Sequence, residues 1–260
     1  MNRTSISDLK AKAKDQLLGN YGIATGSFAL LFVLIYAIMM VIMSAFSFGV
    51  LKDGKFADQT SLSGQLTTQV LSVVISALSV TFSVGYVNII RMIADGRYPV
   101  ISDLFYVFRN HPDKVIIISL VMAGAQFILL LPYTLVMAGG SNAGTEFDGK
   151  RFLLGIILYI AGLAVSFVID LMLAMCFMIY LDDPETGVAD IMKGSISMMK
   201  GNKLRYFYMI LTFIGYGMLI VLSLGIASLW VVPYQTMTTV EFYRDLRNNP
   251  DIEEAGVEYL

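Results

Sequence analysis

The chain has one cysteine, one histidine and six prolines in 260 residues, and only 15% of it is charged. Each scarcity excludes something. Cys176, alone in an apolar run, forms no disulfide within the chain and reads as a small filler of a core or a lipid-facing surface. One His and one Cys fall short of the three or four ligands of the usual zinc sets, so neither a metal nor a cofactor is expected. A net charge of −2 supplies no basic field for nucleic acid. There is no H-E-x-x-H, G-x-S-x-G, P-loop or G-x-G-x-x-G pattern. His111 stands beside Pro112 in a loop, away from any apolar run, so a buried serine nucleophile would lack its base. A two-aspartate intramembrane protease would need a second buried aspartate. No catalytic residue is assigned and an enzyme is not expected.

What the chain has is apolar length. It is 57% hydrophobic, where a soluble domain holds about 45–50%, and its mean hydropathy is +0.71. Such an excess suits lipid. A helix needs about 20 residues to cross roughly 30 Å of hydrocarbon, and backbone amides in lipid must pair within the segment. Four stretches meet this at once: about 22–50, 66–90, 115–138 and 152–181. The first is too long for the apolar core of a cleavable signal peptide and reads as an uncleaved span. A fifth uncharged stretch, Tyr206 to Val240, is long for one span and short for two. A tight turn near Gly225 would divide it into spans of about 206–223 and 226–246, with a short acidic tail over 247–260; one long span is the alternative. The expected fold is therefore all-α: a polytopic transmembrane helix bundle of about six spans, one membrane domain over 1–260. Basic residues give the orientation. Six spans with the N-terminus inside put Arg3, Lys10, Lys12, Lys14, Arg91, Arg97, Arg109, Lys114, Lys193, Lys200, Lys203, Arg205, Arg244 and Arg247 in the cytoplasm. Lys52, Lys55, Lys150 and Arg151 remain outside, fourteen against four. Five spans would leave the C-terminus outside.

Short interfacial helices are expected on the inner side. Ser5, Ser7 and Asp8 signal a helix start, and Ile6, Leu9, Ala13 and Leu17 recur on one stripe while Lys10 and Lys14 share another. That helix either lies among headgroups with Lys10, Lys12 and Lys14 toward anionic lipid, or packs on the bundle as a lead-in. Lys200, Lys203 and Arg205 form a second interfacial basic group. Ser7-Asp8-Leu9, Ser102-Asp103-Leu104 and Ala189-Asp190-Ile191 each precede a pair of spans, and Gly19-Asn20 and Gly201-Asn202 follow the first and third at one offset. The pattern reads as three units of short helix plus helical hairpin.

A few polar residues could carry chemistry. Asp170 is an acidic residue well inside a span, where a carboxylate costs roughly 2.5–3.5 kcal/mol at mid-helix, so it should face the bundle interior. It is either a proton, cation or substrate site or a structural carboxyl, with Asn88, Gln126, Tyr216, Tyr234 and Gln235 as possible partners. Pro132-Tyr133 and Pro233-Tyr234 read as helix breaks: each proline removes a donor and frees an upstream carbonyl, as tolerated kinks do and as ion-binding breaks do. Asp182, Asp183 and Glu185 could hold a divalent cation, but Asp183-Pro184 reads more simply as an N-cap with proline at the first helical position. Gly22-Ile23-Ala24-Thr25-Gly26 is a G-x-x-x-G that would permit close helix approach, though in a Gly-rich chain ordinary packing is the simpler reading.

Residues 197–246 carry a resemblance. Ser197-Met198-Met199-Lys200-Gly201-Asn202-Lys203, Phe207 and Leu211-Thr212-Phe213-Ile214-Gly215-Tyr216 are followed by Leu224-Gly225-Ile226-Ala227, Leu229-Trp230, Pro233-Tyr234 and Phe242-Tyr243. With Leu9 to Gly22, these are similar to a bacterial integral membrane family catalogued as domain of unknown function 975. Tyr216 stands where that pattern has Trp, and Ala227 where it has Gly. The resemblance implies a multi-span protein of the bacterial plasma membrane and implies no activity. The expected function is a non-catalytic membrane component, a scaffold, assembly factor or subunit that contacts lipid, other membrane proteins or itself. A small-solute or ion transporter using Asp170 is the alternative.

Overall fold

The computed structural model describes residues 4–52, 62–138 and 149–248, and these are helical, with no strand among them. In chain order the helices are α1 (Ile6–Leu17), α2 (Tyr21–Lys52), α3 (Leu62–Ala94), a 3-10 turn (Ile101–Phe105) running into α4 (Tyr106–Arg109), and α5 (Pro112–Ala138). There follow α6 (Gly149–Leu173), α7 (Cys176–Asp182), α8 (Val188–Met199), α9 (Lys203–Leu211), α10 (Ile214–Leu222) and α11 (Ser228–Arg247). The loop at 139–148, expected on the outer side, and the tail from 249 lie outside the described residues.

Five helical stretches are long and apolar enough to cross a membrane: Tyr21–Ile42, Val70–Ala94, Pro112–Ala138, Gly149–Asp182 and Lys203–Leu222. Between 11% and 29% of their apolar windows is buried within the protein, so most of that surface needs an apolar surrounding. The sixth long helix, α11, exists as expected but is far more polar, with Glu241, Arg244, Asp245 and Arg247 in its second half. The turn before it is tight. Leu224 and Gly225 take φ of 53° and 93°, and the Gly225 amide reaches back to the Ile220 carbonyl at 2.8 Å, a Schellman closure that needs a left-handed residue.

The chain forms two compact units. The first comprises Met1–Leu34, Thr81–Val115 and Leu171–Leu260; the second comprises Ile35–Val80 and Ile116–Asp170. In the second, α5 and α6 pack closely at Gly162, where a Cβ would sit 2.9 Å from the Leu129 carbonyl oxygen, and Tyr133 and Tyr159 stack at 5.2 Å. In the first, α1 packs on α11 through Leu9, Ala13 and Leu17, all buried. The amphipathic stripe thus meets protein rather than headgroups, and α1 is a lead-in helix. Gly85 is the close approach in this unit: an added Cβ would fall on the Leu104 carbonyl. The G-x-x-x-G pair Gly22 and Gly26 has nothing within 4 Å of either Cβ position and makes no such approach.

The three-unit pattern has a structural signature. Beside each short helix stands an asparagine whose amide nitrogen donates to the carbonyl four residues back: Asn20, three residues past α1, to Gln16 at 3.2 Å, Asn110, at the end of α4, to Tyr106 at 3.0 Å, and Asn202, three residues past α8, to Met198 at 3.1 Å. Gly19 and Gly201 take φ of 85° and 80° just before it, turning the chain into α2 and α9. Leu9, Leu104 and Ile191 are buried at the matching starts. The middle copy departs, being shorter, with His111 in the left-handed region after its asparagine.

Two expectations need correction. Asp183-Pro184 does not open a helix: α8 begins at Val188 behind Gly187. Asp183 instead closes a turn, accepting from the Glu185 amide at 3.0 Å and the Thr186 hydroxyl at 2.6 Å. The Thr186 and Glu185 bonds hold its carboxyl below the usual range. The prolines do not break their helices, since α5 and α11 run on through Pro132 and Pro233. The carbonyl that Pro233 frees, Leu229 O, accepts from the Thr25 hydroxyl of α2 at 3.0 Å. The breaks that do occur carry no proline. One such break separates α9 from α10; another separates α6 from α7, and Ser195 of α8 bridges it, its hydroxyl accepting from the Met175 amide at 3.1 Å and donating to the Met172 carbonyl at 2.8 Å.

Candidate functional site

Charged residues of the first unit gather where α3 and α7 end, where α9 begins and where α11 finishes. Glu241, 1% exposed, faces Arg244 Nη1 at 2.8 Å and Lys12 Nζ at 2.5 Å. Its Oε2 accepts no aligned hydrogen bond, so the Lys12 contact is a close ion pair only. Arg244 also donates to the Ala94 carbonyl at 2.9 Å and pairs with Asp95 at the end of α3. Asp182, at the end of α7, receives Arg91 Nη2 at 2.7 Å, Arg247 Nη1 at 2.7 Å and the Tyr243 hydroxyl at 2.5 Å. Arg205 of α9 meets Asp245 at 2.6 Å, donates to the Thr4 carbonyl at 2.6 Å and lies over the Phe242 ring at 4.9 Å. One helix, α11, therefore holds the ends of α3 and α7, the start of α9 and the approach to α1. Phe242, Tyr243 and Leu246 bury the apolar side of the same turn.

This network divides the suspected cation cluster. Asp182 is bound to arginines, Asp183 to Thr186, and Glu185 to His111 Nε2 at 2.8 Å. Among the described residues no group of three or more His, Cys, Asp or Glu could hold a metal ion.

A second feature lies beside α1. The Lys10 ammonium stands 4.5, 5.3 and 5.9 Å from the ring centres of Phe213, Tyr216 and Tyr234, and donates to the Thr212 hydroxyl at 3.2 Å. The three rings touch one another with centres 5.3–5.8 Å apart, an aromatic cage around a cation. Burial there pushes the ammonium below its usual range. An open cavity of about 360 Å³ adjoins it, lined by Lys10, Lys14, Ser7, Tyr208, Thr212 and Tyr234.

The residues picked out around Asp170 are not drawn into one constellation. Asp170 is half-buried near the end of α6, in the second unit, with no hydrogen bond or ion pair among the described residues. Gln126, also in that unit, is exposed. Asn88 is buried in the first unit and donates to the Met92 sulfur at 3.9 Å. Tyr234 belongs to the Lys10 cage, and the Gln235 carbonyl receives the Thr239 hydroxyl at 3.0 Å. Of the interfacial basic group, Lys12 and Arg205 belong to the ionic network, Lys10 to the cage, and Lys14 and Lys200 are exposed. Lys203 begins α9 and is half-buried. Glu241 and Asp245 were not singled out by the sequence, nor was Asp95, and Tyr243 entered only through the resemblance. The signal that could have found them is the acid–base alternation at 241–247, dense for a helix expected to span.

The fold and site define a helical protein with five stretches long and apolar enough to cross a membrane and with ionic groups concentrated where helices of its first unit end. The chain belongs to the family described as protein of unknown function (DUF975), whose model matches residues 1–250. No curated protein and no solved structure matches it.

Proposed function

We propose that this chain is a non-catalytic component of the bacterial plasma membrane, one that contacts lipid or protein at the end where its basic residues collect. The observation that carries the reading is the ionic network itself. Its carboxylates are engaged by cations of the same chain, an arrangement that fastens helix ends and leaves no acid there poised for substrate. In this reading six helices cross the bilayer with both chain ends in the cytoplasm. Support comes from Thr4, whose hydroxyl pairs with Asp245 while its carbonyl accepts from Arg205, so the N-terminal segment and the end of α11 are side by side.

The reading is tested by purification in mild detergent with crosslinking in membranes. A bound lipid or a crosslinked partner is expected, and a monomer with neither overturns it. Asp170 favours one other reading, transport, because a half-buried carboxylate in an apolar helix without a hydrogen bond is what a proton or cation site would present. Proteoliposomes with an internal pH dye decide between them. No flux above empty vesicles is expected for the native chain; flux that Asp170→Asn abolishes, with the protein still folded, establishes transport instead.

A further inference from the structure

The cavity beside α1 differs electrostatically from the network around it. Lys12, Arg205, Arg244 and Arg247 each meet a carboxylate, whereas Lys10 and Lys14 meet none among the described residues. Four residues apart, they share a helix face, and like charges at that spacing repel. The cage rings stabilise the Lys10 cation through their faces but bring no negative charge. No carboxylate lines the cavity. Around it, the hydroxyls of Ser7, Tyr208 and Tyr234 have no hydrogen-bond partner among the described residues, and each can donate. Two unneutralised ammonium groups and several free hydroxyl donors, converging on about 360 Å³ of open space, complement an anion with several acceptor oxygens.

The surroundings narrow the source of that anion. Ile6 and Ala11 give the cavity an apolar wall. Leu204 and Leu211 lie exposed on α9, at 82% and 39% of their surface, and Leu18, just past the end of α1, at 61%. A charged headgroup beside exposed leucines matches an amphiphile better than a soluble ion.

We propose that the groove between α1 and the α9–α11 segment binds the phosphodiester headgroup of an anionic phospholipid, with Lys10 and Lys14 on the phosphate oxygens and Ser7 and Tyr208 donating beside them. Its acyl chains lie along Leu204 and Leu211. The proposal rests on the lipid-contacting reading above and specifies its site.

Native mass spectrometry of the full chain in detergent, titrated with phosphatidylglycerol or phosphatidylcholine, tests it. The expected result is at least tenfold tighter binding of phosphatidylglycerol, a preference lost in Lys14→Gln and in Ser7→Ala with Lys14→Gln, and kept in Lys200→Gln with Lys203→Gln. Lys10→Met should abolish the preference too; because it also empties the cage, Lys14→Gln, an exposed position, keeps the test independent of folding. Preference that survives Lys14→Gln and Lys10→Met but falls in the 200/203 variant overturns the groove while leaving lipid contact elsewhere intact. No preference in the native chain overturns the site but not the wider reading, which partner crosslinking tests separately. Competition by millimolar inorganic phosphate that displaces the lipid at Lys14 overturns the lipid assignment in favour of a soluble phosphate.

Discussion

Glu241 and Arg244 are unequal members of one contact. Arg244 has three acceptors, Glu241, Asp95 and the Ala94 carbonyl, and is a quarter exposed, so losing one acceptor leaves it served. Glu241 is 1% exposed and without Arg244 would keep only Lys12, a mostly exposed side chain that is poorly aligned. Stranding a buried carboxylate costs about 3 kcal/mol or more, whereas losing one hydrogen bond from a served donor costs about 1 kcal/mol. Arg244→Met should therefore destabilise the protein clearly more than Glu241→Gln in reversible unfolding from mixed micelles. Equal losses would mean that Glu241 is hydrated. At this scale the sequence was least readable. Lys10 was recognised as a cation on a helix face, but the rings that hold it lie some two hundred residues away, and only the fold brings them together. Ser195 looks like any serine in a short helix until its hydroxyl is seen closing the gap between α6 and α7.

At the scale of elements, apolar run length gave the spans because lipid imposes it on every helix alike. Boundaries moved by a few residues, as α3 begins at Leu62 and α9 at Lys203. The spaced Asp and Gly-Asn pairs that suggested a repeat coincide with an asparagine beside each short helix that bonds back one turn. Glycine spacing alone carries little, because close approach depends on which helix faces the residue. Gly22 and Gly26 face open space, while Gly85 faces backbone that cannot yield. Gly85→Ala should cost about 1–3 kcal/mol or prevent assembly, and Gly22→Ala should change stability by under about 0.5 kcal/mol or raise it slightly, since alanine is the better helix former. Thermal aggregation of the detergent-solubilised variants compares the two; similar losses would show that the 3-10 turn can shift away from α3.

At the largest scale, α11 is where the parts of the first unit are joined. A chain ending before Ser228 would lose the partners of Asp95, Arg205 and Lys12 together, along with the apolar seat of α1. Its five apolar helices would remain able to insert, since none depends on α11 for its hydropathy. Such a truncation should reach the membrane at normal levels and then be degraded, with a half-life in pulse-chase at least several-fold shorter than that of the full chain. A long-lived truncation would show that α11 adds little.

The order of synthesis gives the same helix a temporal role. Ribosomes deliver about 5–20 residues per second, so Arg91, Asp95 and Asp182 reach their places on the order of ten seconds before Arg244 and Arg247 exist. Under the membrane reading proposed above, the early hairpins then stand inserted but unfastened, and the closing helix acts as a checkpoint: only a chain translated through residue 247 can pair those charges.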